Sequence, residues 1–197
     1  MGILVVSITN AQTAKPNGNT ARIPLTSRFQ PHSAVVSRGT DTIDDGSFEA
    51  GASGDSPNWI ETSTLFGTPL CTADFCGTGG GTAGPRTGTV WAWFGGASGG
   101  GEDGTMTQSL TINDLGTGTA SLEFYLWIGS FDAAGTDSLV VTLGGDTLFT
   151  TLETNATYQA GYTLVSIDVS SYDDGVARDL VLEGTDLAGA NSNLNVD

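Results

Sequence analysis

The chain has 197 residues, of which 22 are acidic and 6 basic, giving a net charge of −16 with 38% hydrophobic residues; that length suits one domain whose core folds without staples. The charge is divided, because residues 1–40 carry Lys15, Arg22, Arg28 and Arg38 and no acid, while residues 41–197 hold all 22 acids against Arg86 and Arg178. So acidic a body repels phosphate backbones and anionic membranes, which argues against nucleic acid as a partner and suits calcium or a neutral glycan.

No stretch reaches the ~18–20 consecutive apolar residues of a membrane span. The nearest, Ile3-Leu4-Val5-Val6-Ser7-Ile8, runs into small residues up to Ala14. Residues 1–14 therefore read as the remnant of a secretory leader with cleavage near Ala11 or Ala14; the alternative is a first β-strand or donor strand. Residues 15–40 read as a basic linker, with Pro16, Pro24 and Pro31 and no sustained periodicity. The folded domain is expected over residues 41–197.

From Asp41 onward the text consists of apolar or alternating runs separated by Gly, Asp and Asn, with no amphipathic helical stretch longer than two turns. In chain order the expected strands are Ser47–Ala50, Trp59–Phe66, Thr89–Phe94, Thr105–Ile112, Ala120–Ile128, Ser138–Leu143, Thr147–Leu152, Tyr162–Val169, Arg178–Glu183 and Asn193–Asp197. About ten short strands predict an all-β fold, a two-sheet antiparallel β-sandwich of the jelly-roll type. The clearest strand is 120–128, whose period of two assigns Ala120, Leu122, Phe124, Leu126 and Ile128 to the core and Tyr125 and Trp127 to the opposite face. Gly144-Gly145 reads as a two-residue hairpin turn. Cys71 and Cys76, spaced C-x4-C, predict a local disulfide. The glycine-rich segment 77–84 continues from them as the longest irregular stretch.

Trp91 and Trp93 lie two apart and share a face, as do Tyr125 and Trp127. Four aromatic rings on one sheet would make a platform for the apolar faces of sugars. Trp91 and Trp93 can equally point inward, so their facing stays open at this stage. Nothing singles out a catalytic group. A nucleophile–imidazole pair needs a positioned histidine, and the only one, His32, falls in the linker. Gly79-Gly80-Gly81-Thr82-Ala83-Gly84 fits G-x-G-x-x-G but leads into Pro85 and a strand instead of a helix, so it is not a dinucleotide site.

Asp44-Asp45-Gly46-Ser47-Phe48-Glu49-Ala50-Gly51 followed by Trp59 resembles the opening "NGxFExG…W" of bacterial secreted carbohydrate-binding-type jelly rolls in the galactose-binding-like superfamily. Asn193-Leu194-Asn195-Val196-Asp197 resembles their closing "F-x-V-D-D-V" strand, cut one residue into the acidic pair. The resemblance covers about 41–197, with Asp45 standing where the pattern has Asn. It implies a calcium ion near the two chain ends, held partly by Glu49 and Asp197; Asp44 or Asp45 is a further candidate ligand, and calcium's need for six to eight oxygens suits such a set.

The expectation is thus a secreted or cell-surface, non-catalytic module, stabilised by calcium and recognising extracellular polysaccharide or a cell-surface glycan, with no nucleic acid partner and no membrane span. The alternative is a structural or adhesive protein that self-assembles by docking its +4 arm on the acidic body of a neighbour.

Overall fold

The computed structural model describes residues 4–9, 43–51, 55–97, 101–113, 115–116, 118–132, 134–187 and 191–197, with only the backbone described over 5–9. The expected linker and the boundary at Asp41 lie outside the described residues. Eleven strands are present among them: β1 (Val5–Thr9), β2 (Ile60–Ser63), β3 (Leu70–Thr72), β4 (Val90–Gly95), β5 (Glu102–Thr111), β6 (Thr119–Ser130), β7 (Ser138–Leu143), β8 (Asp146–Leu152), β9 (Thr163–Asp168), β10 (Ala177–Asp186) and β11 (Asn193–Val196). A single helical turn, α1 (Ala73–Cys76), follows β3.

The strands form two antiparallel sheets. One has the order β1-β6-β11-β4-β3 with β9 also on β6, and the other the order β2-β5-β10-β7-β8. From β4 to β11 the chain changes sheet at every connection except the β7–β8 hairpin. The fold is therefore the two-sheet antiparallel sandwich that the alternating strands predict. β6 organises the first sheet: β9 pairs with Ser121–Leu126, while β1 and β11 share the opposite edge, β1 on Thr119–Glu123 and β11 on Leu126–Ser130.

Between the sheets the inward residues of each strand meet. Leu122, Phe124, Leu126 and Ile128 of β6 are buried with Val90, Ala92 and Phe94 of β4, Leu139 and Val141 of β7, Leu180 and Leu182 of β10, and Leu194 and Val196 of β11. Period-two alternation produces this directly, since every second residue of β6 is buried. The two sheets approach closely at Phe94. It lies over Gly184 and Gly104, which face each other across β10 and β5, and a Cβ on Gly184 would stand 2.3 Å from the Phe94 Cβ. Two glycines thus make room for one ring.

Two local expectations differ from the structure, and the N-terminal segment takes the second of its two readings over the described residues. Ser47–Ala50 is a turn, not a strand: Asp45 and Phe48 take positive φ (53° and 62°), and the Asp45 carboxylate accepts the Ala50 N–H (3.0 Å). Of the expected strand Trp59–Phe66 only Ile60–Ser63 is extended, and Leu65 and Phe66 lie in the turn that follows. Within the segment expected to be a leader remnant, Val5–Thr9 is a sheet strand and Leu4 is a core residue, 1% exposed. The physical reason is that Val, Val and Ile in short alternation suit a strand edge as well as an apolar leader. Residues 10–14 lie outside the described residues.

Candidate functional site

The outer face of the first sheet carries Trp91 and Trp93 on β4, Asn193 and Asn195 on β11, and Tyr125 and Trp127 on β6. Asn195 is paired with Trp93 on one side and Trp127 on the other. All four expected aromatic residues therefore share one face, and that face is roofed. The segment 78–88 lies across it, fixed by hydrogen bonds from Tyr162 Oη–H to the Gly84 carbonyl (2.6 Å), from Asn193 Nδ2–H to Thr82 Oγ1 (2.6 Å), and from Asn195 Nδ2–H to the Thr82 carbonyl (3.2 Å). Gly129 permits this approach, because a Cβ there would be 1.6 Å from the Thr82 carbonyl oxygen.

Beneath the roof the rings have different surroundings. Trp91 is fully buried, and its Nε1–H donates to Asn195 Oδ1 (3.1 Å). The Arg86 guanidinium sits 3.6 Å over the half-buried Tyr125 ring. Trp127 lies against Tyr162, with ring centroids 5.7 Å apart. Burial, with the Asp197 charge adding to it, pushes the Tyr162 hydroxyl well above the usual tyrosine range, so it remains a donor. Trp93 is different. It stacks on Trp91 (centroids 6.3 Å apart), donates Nε1–H to Asn193 Oδ1 (3.0 Å), and reaches the edge of the roof.

There Trp93 forms the common wall of two adjoining depressions of about 430 and 420 Å³. One is apolar, lined by Leu65, Phe66, Phe75 and the Cys71–Cys76 bridge. The other is polar, lined by Thr82, Ser130, Asn191 and Asn193. No charged side chain lines either.

The apolar lobe is built by two short devices. The expected disulfide is present and closes α1, whose Thr72 Oγ1 accepts the Phe75 N–H (3.2 Å); Phe75 is held outward, 64% exposed. The second device is a buried acid. The Glu102 carboxylate, 3% exposed, accepts the Leu65 N–H (2.8 Å) and the Ser63 hydroxyl, and Ser63 Oγ accepts the Phe66 N–H (2.9 Å). Leu65 and Phe66 are thereby presented to solvent. Leu65, Phe66 and Phe75 thus form a group of exposed large apolar side chains beside the bridge. Their sequence signal, an apolar pair before a glycine and a Phe inside C-x4-C, lies in loops where periodicity does not reach.

The expected calcium ligands all accept protein donors. Glu49 accepts the Thr89 N–H (2.8 Å), the Thr89 hydroxyl (2.8 Å) and the Val90 N–H (2.9 Å). Burial works to raise its pKa, and those donors more than offset this, holding the carboxyl below the usual range. Asp197 accepts the Arg86 and Thr87 N–H groups (2.7 and 3.0 Å). In its case burial outweighs the donors and the Arg86 charge, and nearby Glu49 adds to the upward shift. Asp45 ties Ala50 and Ser56 into the opening turn.

Acidic oxygens converge elsewhere. Among the described residues, Asp132, Asp137 and Glu153 bring one carboxylate oxygen each within 4.8 Å of one another. Asp137 and Glu153 are fully buried. Asp186, 1% exposed, lies beside Asp137, and its carboxyl is pushed up to about 6 by burial, with the Asp137 charge contributing against the Ala97 and Ser192 N–H donors.

The sequence matches no family model and no curated protein. Similar folds are found among solved structures. One is TmCBM61 in complex with β-1,4-galactotriose, with a TM-score of 0.50 at 10% identity, covering 73% of this chain and 87% of that one. Another is a Stig cyclase, Fisc, from Fischerella sp. TAU, with a TM-score of 0.37 at 14% identity, covering 72% of this chain and 85% of that one; a likeness that low carries no argument. The chain shares the β-sandwich fold of the carbohydrate-binding module, and at 10% identity the likeness speaks to fold alone.

Proposed function

We propose that this protein is a secreted or cell-surface, non-catalytic module that binds a neutral oligosaccharide, part of an extracellular or cell-wall polysaccharide, across Trp93. The observation that carries the reading is the division at Trp93 itself, with an apolar lobe of exposed rings on one side and Asn, Ser and Thr side chains on the other. A sugar ring has the same division, an apolar C–H face and a rim of hydroxyls, and an aromatic ring presents rigid amphipathic area at small entropic cost. The uncharged lining favours a neutral ligand. The sandwich shared with a module that binds β-1,4-galactotriose supports carbohydrate as the ligand class. The disulfide supports an oxidising compartment. Assembly through the N-terminal arm is the second reading, supported by the charge division of the chain.

The test is a panel of immobilised neutral polysaccharides, galactans included, probed with the parent and with Trp93→Ala and Phe75→Ala. Retention on at least one glycan is expected, with affinity falling roughly tenfold or more in Trp93→Ala when both proteins are assayed well below their melting temperatures. Equal retention of parent and Trp93→Ala on every glycan would overturn the reading.

A further inference from the structure

We infer that Asp132 and Asp137, in the connection from β6 to β7, and Glu153, just after β8, form a calcium site separate from the proposed sugar cleft and from the chain-end acids. The three carboxylates converge, yet convergence by itself is common among acids. A second observation distinguishes this group: Glu153 is fully buried and its Oε2 has no hydrogen-bond partner. Asp186 Oδ1, in the carboxyl next to Asp137, is likewise buried without a partner.

The remaining oxygens are held firmly. Glu153 Oε1 accepts the Gly135 and Thr136 N–H groups (2.6 and 3.0 Å). Asp137 accepts the Leu187 N–H (2.9 Å) on one oxygen and the Ser192 hydroxyl (2.6 Å) on the other. Asp132 Oδ1 accepts the Ala134 N–H (2.7 Å). The carboxylates are thus fixed in place by neutral donors, and no cation compensates them: the only ion pair among the described residues, Arg178–Asp174, involves none of these acids. Burying several like charges together is strongly unfavourable unless a positive charge joins them.

The donor set selects the ion. Carboxylate oxygens are hard ligands, both cysteines are in the disulfide and His32 is the only histidine, so thiolate and imidazole metals are not served. Calcium accepts many oxygens in irregular geometry supplied by loops, whereas magnesium requires a near-ideal octahedron. The site also has a consequence for the cleft. Ser192 and Leu187, bonded to Asp137, bracket the segment that carries Asn191, a wall of the polar lobe.

The experiment is thermal melting of the chelator-treated full chain in calcium chloride, in magnesium chloride and in chelator, for the parent, Glu153→Gln, Asp132→Asn and Glu49→Gln, with calorimetric titration of calcium alone. In the parent, calcium at about a hundred times its Kd is expected to raise Tm by roughly 5–10 °C. Glu153→Gln should lose that rise and melt in chelator at or above the parent, since one of the crowded charges is gone. Asp132→Asn, at the half-buried edge of the group, serves if Glu153→Gln does not fold, and should weaken calcium binding roughly tenfold. Glu49→Gln should keep the rise. The inference is overturned by a parent Tm that is the same in calcium and chelator, by an equal response to magnesium, or by a calcium response that survives Glu153→Gln and Asp132→Asn but not Glu49→Gln.

Discussion

Asn195 is fully buried, and its one side chain ties three elements: Oδ1 accepts the Trp91 indole N–H, and Nδ2 faces the carbonyls of Thr82 on the roof and Trp127 on β6. In Asn195→Ala the indole N–H and the Thr82 carbonyl are left buried without partners, so a loss of about 3 kcal/mol is expected, read as a lower urea midpoint with an unchanged slope. Sequence periodicity placed Asn195 on a strand, but the partners that give it this weight are 68 to 113 residues away and could not be read from spacing. Glu61 supplies the pH dependence at this scale. Burial raises its pKa above the usual glutamate value, and the Thr68 hydroxyl and the Ser56 N–H only partly offset it, with Asp55 adding to the rise. The folded state therefore holds this proton more tightly than the unfolded state. Its ionised form lowers stability above the folded pKa, and that penalty disappears as the pH falls through the ordinary value near ~4.3. Glu61→Gln should accordingly melt higher relative to the parent at pH 7 than at pH 4, and a difference that stays constant with pH would contradict the assignment.

At the scale of elements, strands long enough to alternate were legible and short ones were not. β6 shows five core residues in alternation, Ala120 to Ile128, so its two faces follow from the text alone. β3 has three residues and α1 four, too few for any period to declare itself. The expected strand Ser47–Ala50 is a turn because Asp45 and Phe48 take positive φ, held by tertiary contacts, among them the Trp59 Nε1–H bond to the Asp45 carbonyl (3.2 Å). The N-terminal segment allowed two readings, and their stability consequences differ. As a strand, β1 extends the edge that β11 occupies on β6, and Leu4 fills the core beside Gly46, whose carbonyl accepts the Leu4 N–H (2.8 Å). Deleting residues 1–14 should then lower stability by at least the ~2–5 kcal/mol of a buried leucine, measured by chemical denaturation. An unchanged midpoint would favour a dispensable leader.

At the scale of the whole molecule, a strongly acidic sandwich exposes an uncharged cleft at one corner of its first sheet. The fold class was legible because ten alternating runs leave few other architectures. The two aromatic pairs were legible, each on one face of its strand, but neither their meeting on one outer face nor the roof over them was. A glycine-rich segment gives no indication of where it docks, and the docking depends on Gly129, Asn193 and Asn195 acting together. In the proposed reading the roof moves binding from the platform as a whole to Trp93, which borders both depressions. The four tryptophans, Trp59, Trp91, Trp93 and Trp127, each carry one indole N–H, so a proton–nitrogen NMR titration with a neutral galacto-oligosaccharide reports on all of them at once. The account predicts that the Trp93 indole resonance shifts most, with Trp59 unmoved in the core and Trp127 little changed under Tyr162. Saturable shifts centred on Trp127 and Tyr125, with Trp93 unmoved, would contradict it.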